Sequence, residues 1–428
     1  MTGFDLFYIA MSPIAAPLLA YKALRYGKYR ESMPGMFGRG LKDDDASRWN
    51  DGSVWVHAVS AGEVMAARAM LPHLRARFPS LPVLLTTVTE TGQAQARALP
   101  EGMADAVHYY PADFSWIVKR FVAHFRPKIY IPMETELWPN ALQIVGNSGA
   151  KCFVLNGKIS EKSFRSYSRV RSVFSKPLGC VTAFCMQTAR DAERIGVICG
   201  DPSRVFVTGN CKFDAPMPDV AAAREAELRN LCGTAEGSRI VVAGSTHPGE
   251  EEIVLDAYKE LLGANPDVAL VLVPRHPERF DTVWQILEGS GLRARRMVGG
   301  QSANHAGPGS VVLVDRMRML ADLYGICDVA VVAGSFVDGI GGHNLLEAAA
   351  HGVPVVYGPF MFGQPDMVRI LDAEHGGIQV NRDSLGGTMM SLLADPRRMT
   401  EMGRLGREAV LANQGAAKRN IEIISRFV

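Results

Sequence analysis

Beyond an apolar opening segment, the chain alternates short β-branched runs with longer stretches of helical periodicity. The runs fall at Val54–Val59, Val83–Val88, Lys128–Met133, Cys152–Leu155, Val181–Met186 and Val205–Val207. They resume at Arg239–Ala243, Val268–Val273, Val311–Val314, Val329–Ala333 and Pro354–Tyr357. Such alternation predicts parallel strands covered by helices. The series is broken between Asn210 and Ser238 by a Pro-containing stretch, Ala215-Pro-Met-Pro218, and a charged helical stretch, Val220–Leu231. Two doubly wound α/β units facing a cleft are therefore expected, one over residues 31–215 and one over 216–428. Ligands of these sheets bind beyond the carboxyl ends of the strands, so the residues that follow each run are the candidates for chemistry.

The opening segment has a different character. Leu6 to Tyr21 is almost wholly apolar and is followed by Lys22, Arg25, Lys28 and Arg30. As a helix it would reach about 24 Å at ~1.5 Å per residue, short of a hydrocarbon core of ~30 Å, and Pro13 and Pro17 interrupt it. Basic residues after the apolar run, rather than before it, argue against a cleaved signal peptide. They mark the side expected to stay cytoplasmic, so residues 1–30 are expected to attach the catalytic body to the inner leaflet, spanning it or lying on it. A buried N-terminal core helix is the alternative.

Composition narrows the function classes. A formal charge of +2 from 46 basic and 44 acidic residues supplies no field that would draw nucleic acid to the whole protein. The seven cysteines form no CxxC set and read as reduced core residues. No HExxH or Cys/His ligand cluster appears, and no metal or cofactor is expected. Asp43 and Asp45 have DxD spacing but lie in a polar loop, where a solvated charge run is the simpler reading.

Candidate chemistry follows the strands. The first run ends in His57-Ala-Val-Ser60-Ala-Gly62-Glu63 at a helix start. There Glu63 is either a first-turn partner of the helix dipole or a base beside a ligand, and Ser60 in a variant nucleophile elbow is a weaker reading. Glu134-Thr-Glu136-Leu-Trp-Pro-Asn140 puts two carboxylates on one face of extended chain, to orient a base or to open a helix. Asn156-Gly-Lys158 with the basic, aromatic stretch Phe164–Arg169 is either an anion-receiving or a solvated loop, and Gly209-Asn-Cys-Lys212 carries a lysine able to offset developing negative charge. In the second half, Gly244-Ser-Thr-His247 and Pro274-Arg275-His276-Pro277 follow two strands, and arginine suits phosphate. The glycine-rich run from Gly334 through Gly341-Gly342-His343-Asn344 to Glu347 is expected to lay backbone N–H groups against phosphate and then open a helix, with Glu347 accepting from ribose. It is neither a Walker sequence nor a full GxGxxG, so ATPase or dehydrogenase chemistry is not indicated.

Taken in order, His57-x-x-Ser60-x-Gly62-Glu63, Glu134-x-Glu136-Leu-Trp-Pro-Asn140, Gly209-Asn-x-Lys212-Phe-Asp214, Pro274-Arg-His-Pro277 and Gly341-Gly-His-Asn-x-Leu-Glu347 resemble the 3-deoxy-D-manno-octulosonic acid (Kdo) transferases of lipopolysaccharide synthesis. The resemblance runs from the N-terminal segment to about Pro365. It implies a glycosyltransferase B fold and inverting, metal-independent transfer of Kdo from CMP-Kdo to the lipid A precursor (lipid IVA), at the cytoplasmic face of the inner membrane. On the same ground Glu63 is the expected base, and Glu134 and Lys212 are expected to stabilise the transition state. The resemblance further assigns CMP contacts to Arg275, His276, Met317, Arg318, Met319, Gly341, Gly342, Asn344, Leu345, Leu346 and Glu347. The chain departs from the family in having Met317-Arg318-Met319 where Met-Gly-Glu is usual, and in a glycine-rich turn one residue longer through Asp338-Gly-Ile340. The alternatives are another B-fold glycosyltransferase acting on a lipid-linked sugar with a UDP-sugar donor, and a membrane scaffold without catalysis.

Overall fold

The computed structural model describes residues 1–26, 31–214, 220–234, 237–298, 302–303 and 309–428, with only the backbone described at 15–16, 18–26 and 302–303. Lys28, Arg30 and the 215–218 segment lie outside the described residues. The chain forms two compact units: Met1–Pro216 together with Asn413–Val428, and Met217–Ala412. The boundary near residue 216 is where the sequence pattern breaks, but the last 16 residues return to the first unit rather than completing the second.

The first unit holds β1 (Ser53–His57), β2 (Val83–Thr87), β3 (Ala106–Tyr109), β4 (Pro127–Pro132), β5 (Lys151–Gly157), β6 (Val181–Met186) and β7 (Val205–Val207). They pair in parallel in the order β3-β2-β1-β4-β5-β6-β7. Central strands such as β1 and β2 are buried throughout, as a parallel sheet covered on both faces requires. Alternation along β1 divides the two cores. Val54 and Val56 pack with Val64, Met70 and Leu74 of the helix Ala61–Arg77 and with Ala417, Ile421 and Ile424 of the C-terminal helix Ala416–Ile424. Trp55 packs on the other face with Tyr130, Phe121 and Phe125.

The apolar N-terminal segment is a helix, Gly3–Tyr26, with Pro13 and Pro17 inside it. Its first turn is tied to the unit by buried polar contacts. Asp5 accepts from the Ser115 N–H (2.8 Å), the Ser115 hydroxyl (2.6 Å) and Asn140 Nδ2 (3.0 Å). Tyr8 donates its hydroxyl to Asp113, and Asp113 in turn accepts the Asn140 and Ala141 N–H groups at the start of the helix Pro139–Asn147. Leu6, Phe7, Ile9, Met11 and Ile14 remain exposed. No helix among the described residues is long and apolar enough to cross a membrane.

The second unit holds β8 (Ile240–Thr246), β9 (Ala269–Pro274), β10 (Ala294–Arg296), β11 (Ser302–Ala303), β12 (Val311–Leu313), β13 (Val329–Val332), β14 (Val355–Tyr357) and β15 (Gly377–Gln379). Their order is β11-β10-β12-β9-β8-β13-β14-β15, parallel except for β10 with β11. Both sheets reverse direction next to their first strand, between β1 and β4 and between β8 and β13. At such a switch point the loops diverge and leave a crevice at the carboxyl ends of the strands.

Candidate active site

Glu63 and Glu134 follow β1 and β4, the two strands that flank the switch point of the first sheet. Ser60 caps the helix Ala61–Arg77 with an extended backbone and donates its hydroxyl to Glu63 Oε1 at 3.0 Å. Its φ of −120° carries none of the strain of a nucleophile elbow, so the nucleophile reading of Ser60 is set aside. The Val59 N–H donates to Glu63 Oε2 at 2.8 Å. Glu63 thus does close the helix start, as a first-turn residue would, but it does so while nearly enclosed. Burial, and then the negative field of Glu134, push its pKa up to about 7 against the two hydrogen bonds that favour the anion. A carboxylate poised there takes up a proton near neutral pH.

Glu134 stands in the left-handed region at φ 53°, with its N–H donated to the Leu155 carbonyl at 2.9 Å. An isolated bridge of Met133 to Leu155 extends the β4–β5 pairing up to this point, so the sheet itself holds the turn. Lys212 Nζ lies 3.6 Å from Glu134 Oε1, both side chains about a quarter exposed. The lysine is carried by the short 3-10 turn Cys211–Asp214. That turn is anchored by the Cys211 N–H on Asn156 Oδ1 (2.9 Å) and by Asp214, which accepts the Gly415 and Ala417 N–H groups at 2.5 Å each. Glu136 is half-buried, and burial raises its pKa. The structure therefore brings Glu63, Glu134 and Lys212 into one electrostatically coupled cluster. The Thr135 hydroxyl donates to the Lys158 carbonyl and so ties the basic loop to this strand end.

Two other sequence candidates are occupied structurally. His57 is fully buried, stacked on Tyr110 at 3.7 Å between ring centres, and burial lowers its pKa to about 3. Asp45 caps the turn Ala46–Trp49 through the Ser47 N–H, whereas Asp44 accepts from Trp49 Nε1 (2.6 Å) and His124 Nε2 (2.8 Å). The DxD spacing thus belongs to a capped turn, and no group of three metal-binding side chains occurs among the described residues.

In the second unit the loops after β8, β9 and β13 carry the candidates. His247 follows β8 and His343 lies in the turn after β13, so the two straddle the switch point. Their rings stack at 5.0 Å with an interplanar angle of 12°, and the two Nε2 atoms are 2.8 Å apart. Arg275 and His276 follow β9 and are exposed, His276 Nδ1 lying 3.8 Å from Glu278 Oε1. The guanidinium of Arg275 makes no hydrogen bond among the described residues, yet its charge reaches His247, His343 and Glu347.

The glycine-rich run departs from expectation at its beginning. The N–H groups of Gly334, Ser335 and Phe336 all donate to the buried carboxylate of Glu250, at 2.7, 3.0 and 2.9 Å, and the His247 N–H joins them at 3.0 Å. An internal carboxylate already fills this cradle, so a phosphate has no place there. Gly341 and Gly342 have φ of 95° and 82°, and a Cβ on either would meet Phe362 or Met361 at 2.8 or 2.2 Å. These positions admit glycine alone. The helix that follows is one turn, Leu346–Ala349. Leu345 and Leu346 are buried in the core, and Asn344 is engaged with the Leu346 N–H (3.0 Å) and Glu347 (3.3 Å). Burial raises the pKa of Glu347. Met317 is exposed, Arg318 has φ 67°, and Met319 is buried at the start of the helix Leu320–Tyr324. The side chains of Leu345, Leu346 and Met319 therefore serve packing, which leaves the exposed Met317 and Arg318 and the part-buried Asn344 and Glu347.

Glu250 and the pairing of His247 with His343 were not read from the chain. The available signal for Glu250 was its place three residues after His247 at a helix start, a capping spacing. No local pattern signals a contact between residues 96 positions apart.

Residues 25–215 match the family model described as 3-Deoxy-D-manno-octulosonic-acid transferase (kdotransferase). The 3-deoxy-D-manno-octulosonic acid transferase of Haemophilus influenzae is 31% identical across 99% of this chain and 98% of its own length. That of Bordetella pertussis is 32% identical across 88% of this chain and 87% of its own. Among solved structures, the UDP-GlcNAc 2-epimerase of Neisseria meningitidis matches 87% of this chain with a TM-score of 0.61 at 13% identity, a likeness of fold. Identity of this order, maintained from end to end with a namesake enzyme, places the chain in the 3-deoxy-D-manno-octulosonic acid transferase family.

Proposed function

We propose that this transferase moves Kdo from CMP-Kdo to the lipid A precursor with inversion, Glu63 taking the proton of the acceptor hydroxyl as it attacks the anomeric carbon. The observation that carries the reading is the buried Glu63 carboxylate, raised to a pKa of about 7, beside the Glu134–Lys212 ion pair. A base with a pKa near the working pH is strong enough to accept the proton and still largely ionised. Lys212 supplies fixed positive charge next to carboxylates that would otherwise repel the base from its anionic form. In the second unit, Arg275 has a guanidinium free for a phosphate or sugar carboxylate, and no step calls for a metal.

The N-terminal helix supports attachment to the cytoplasmic face of a bacterial inner membrane. Leu6, Phe7, Ile9, Met11 and Ile14 present apolar surface while Asp5 and Tyr8 hold the helix to the catalytic unit. A helix so tied lies on the phospholipid surface.

Incubation of the full chain with CMP-Kdo and lipid A precursor, followed by mass spectrometry, tests the reading. A product heavier by one or more Kdo residues, with release of CMP, is expected. Turnover with UDP-sugars and none with CMP-Kdo would replace it with the UDP-dependent alternative, and absence of any nucleotide release would favour a scaffold.

A further inference from the structure

We propose that the His247–His343 imidazole pair receives the phosphate of the donor nucleotide and supplies the proton that neutralises it as the sugar departs. This rests on the reading of the chain as a nucleotide-sugar transferase with a phosphate leaving group.

Four observations converge on the pair. It lies at the switch point of the second sheet, where β8 and β13 part and a ligand is expected. The cradle of N–H groups that would ordinarily hold a phosphate at this sheet end is filled by Glu250, so the phosphate must be met by other donors. The Nε2 atoms of the two rings lie 2.8 Å apart, a geometry in which one proton is shared and a second can be held only if negative charge arrives. Finally, the charges around the pair leave one cation uncommitted. Among them, Arg279 is held by both oxygens of the buried Glu251, His276 lies 3.8 Å from Glu278, Glu347 is engaged by Asn344, and Glu250 spends both oxygens on backbone N–H groups, whereas the guanidinium of Arg275 makes no hydrogen bond among the described residues. Burial, and then the nearby arginines and imidazoles, lower the pKa of both rings, that of His343 to about 4. Two imidazoles beside the uncommitted guanidinium of Arg275 form a site complementary to an anion.

The chemistry balances as follows. The bond between the anomeric carbon and the phosphate oxygen breaks, and its electron pair stays on that oxygen. The phosphate passes from one negative charge to two, and the acceptor oxygen takes its place on the carbon while its own proton goes to Glu63. The added charge draws a proton from solvent water onto the imidazole pair, which passes it to the phosphate oxygen and shares it there until CMP leaves.

Binding of CMP to the full-length protein tests this directly. Calorimetry at pH 7 in two buffers of different ionisation enthalpy should show uptake of a substantial fraction of a proton per CMP bound, a measurement that needs no variant. The affinity for CMP should rise as the pH falls from 9 toward 6. The variants His247→Asn and His343→Asn, checked for unchanged melting temperature, should bind CMP about tenfold or more weakly and lose that slope, whereas Arg275→Ala should weaken binding and keep it. CMP binding without proton uptake, or with the same slope in the histidine variants, would overturn the role of the pair and leave the donor assignment standing. A folded protein that does not bind CMP at all would overturn the donor assignment itself, and the proposal with it.

Discussion

Glu134 meets Lys212 at 3.6 Å from a backbone turned into the left-handed region, at φ 53°. A non-glycine residue held there costs about 1–2 kcal/mol, so the sheet sustains a strained turn to aim this carboxylate. Replacing Glu134 with glycine is expected to raise stability by about 0.5–1 kcal/mol in denaturant melts while sharply lowering turnover. Loss of stability would show that the turn carries no strain.

Glu63→Gln keeps the shape of the helix start but cannot accept a proton. Turnover should fall by about 100-fold or more, with CMP affinity unchanged. Steady-state assays and calorimetry on one preparation separate the two quantities.

The same substitution has an opposite effect on stability. Glu63 has a pKa of about 7 when folded and 4.5 as its ordinary value, so the folded state binds the proton more tightly. Its contribution is intact below pH 4.5 and is lost as the pH rises through about 7. Above that pH, Glu63→Gln should be more stable than the parent by about 1–3 kcal/mol, the difference closing toward pH 5. Melting temperatures at pH 5 and pH 8.5 decide it.

Activity should rise with pH through about 7 as Glu63 ionises. Glu134→Gln removes a negative neighbour, so the acid limb of the surviving activity should move to lower pH. A limb that stays in place in this variant would uncouple the two carboxylates.

Removing residues 1–25 would do more than take away exposed apolar surface. It would strip Ser115, Asn140 and Asp113 of their partners Asp5 and Tyr8, each loss costing about 1–3 kcal/mol. The truncated chain should therefore melt lower than the parent. Exchanging Leu6, Phe7 and Ile14 for serine should instead abolish sedimentation with anionic phospholipid vesicles at an unchanged melting temperature.

Most of the strands that were legible are buried on both faces, where an unbroken apolar run leaves little choice of structure; the edge strand Val205–Val207, half-exposed, was legible from its β-branched residues alone. The strands that were missed sit at or near sheet edges. Ala106–Tyr109 and Gly377–Gln379 are half-exposed, and Ala294–Arg296 carries two arginines, so none forms such a run. At the site, the carboxylates were legible because each follows a strand. Their coupling was not, since it depends on β1 and β4 being neighbours, a fact of sheet order rather than of spacing. The glycine-rich run misled at its start for a related reason. A carboxylate 84 residues earlier in the chain took the N–H groups that the local pattern offered to a phosphate.

The helix Ala416–Ile424 gives the first unit a peculiar order of birth. It covers the helix Ala61–Arg77 that bears Glu63, and its first N–H groups, of Gly415 and Ala417, are donated to Asp214, two residues past Lys212. The ribosome therefore makes the whole second unit between the bulk of the first and the helix that closes its core. The turn that carries Lys212 thus lacks these two bonds until Gly415 and Ala417 have been made, about two hundred residues after it, so the first unit cannot close while the second is still being synthesised.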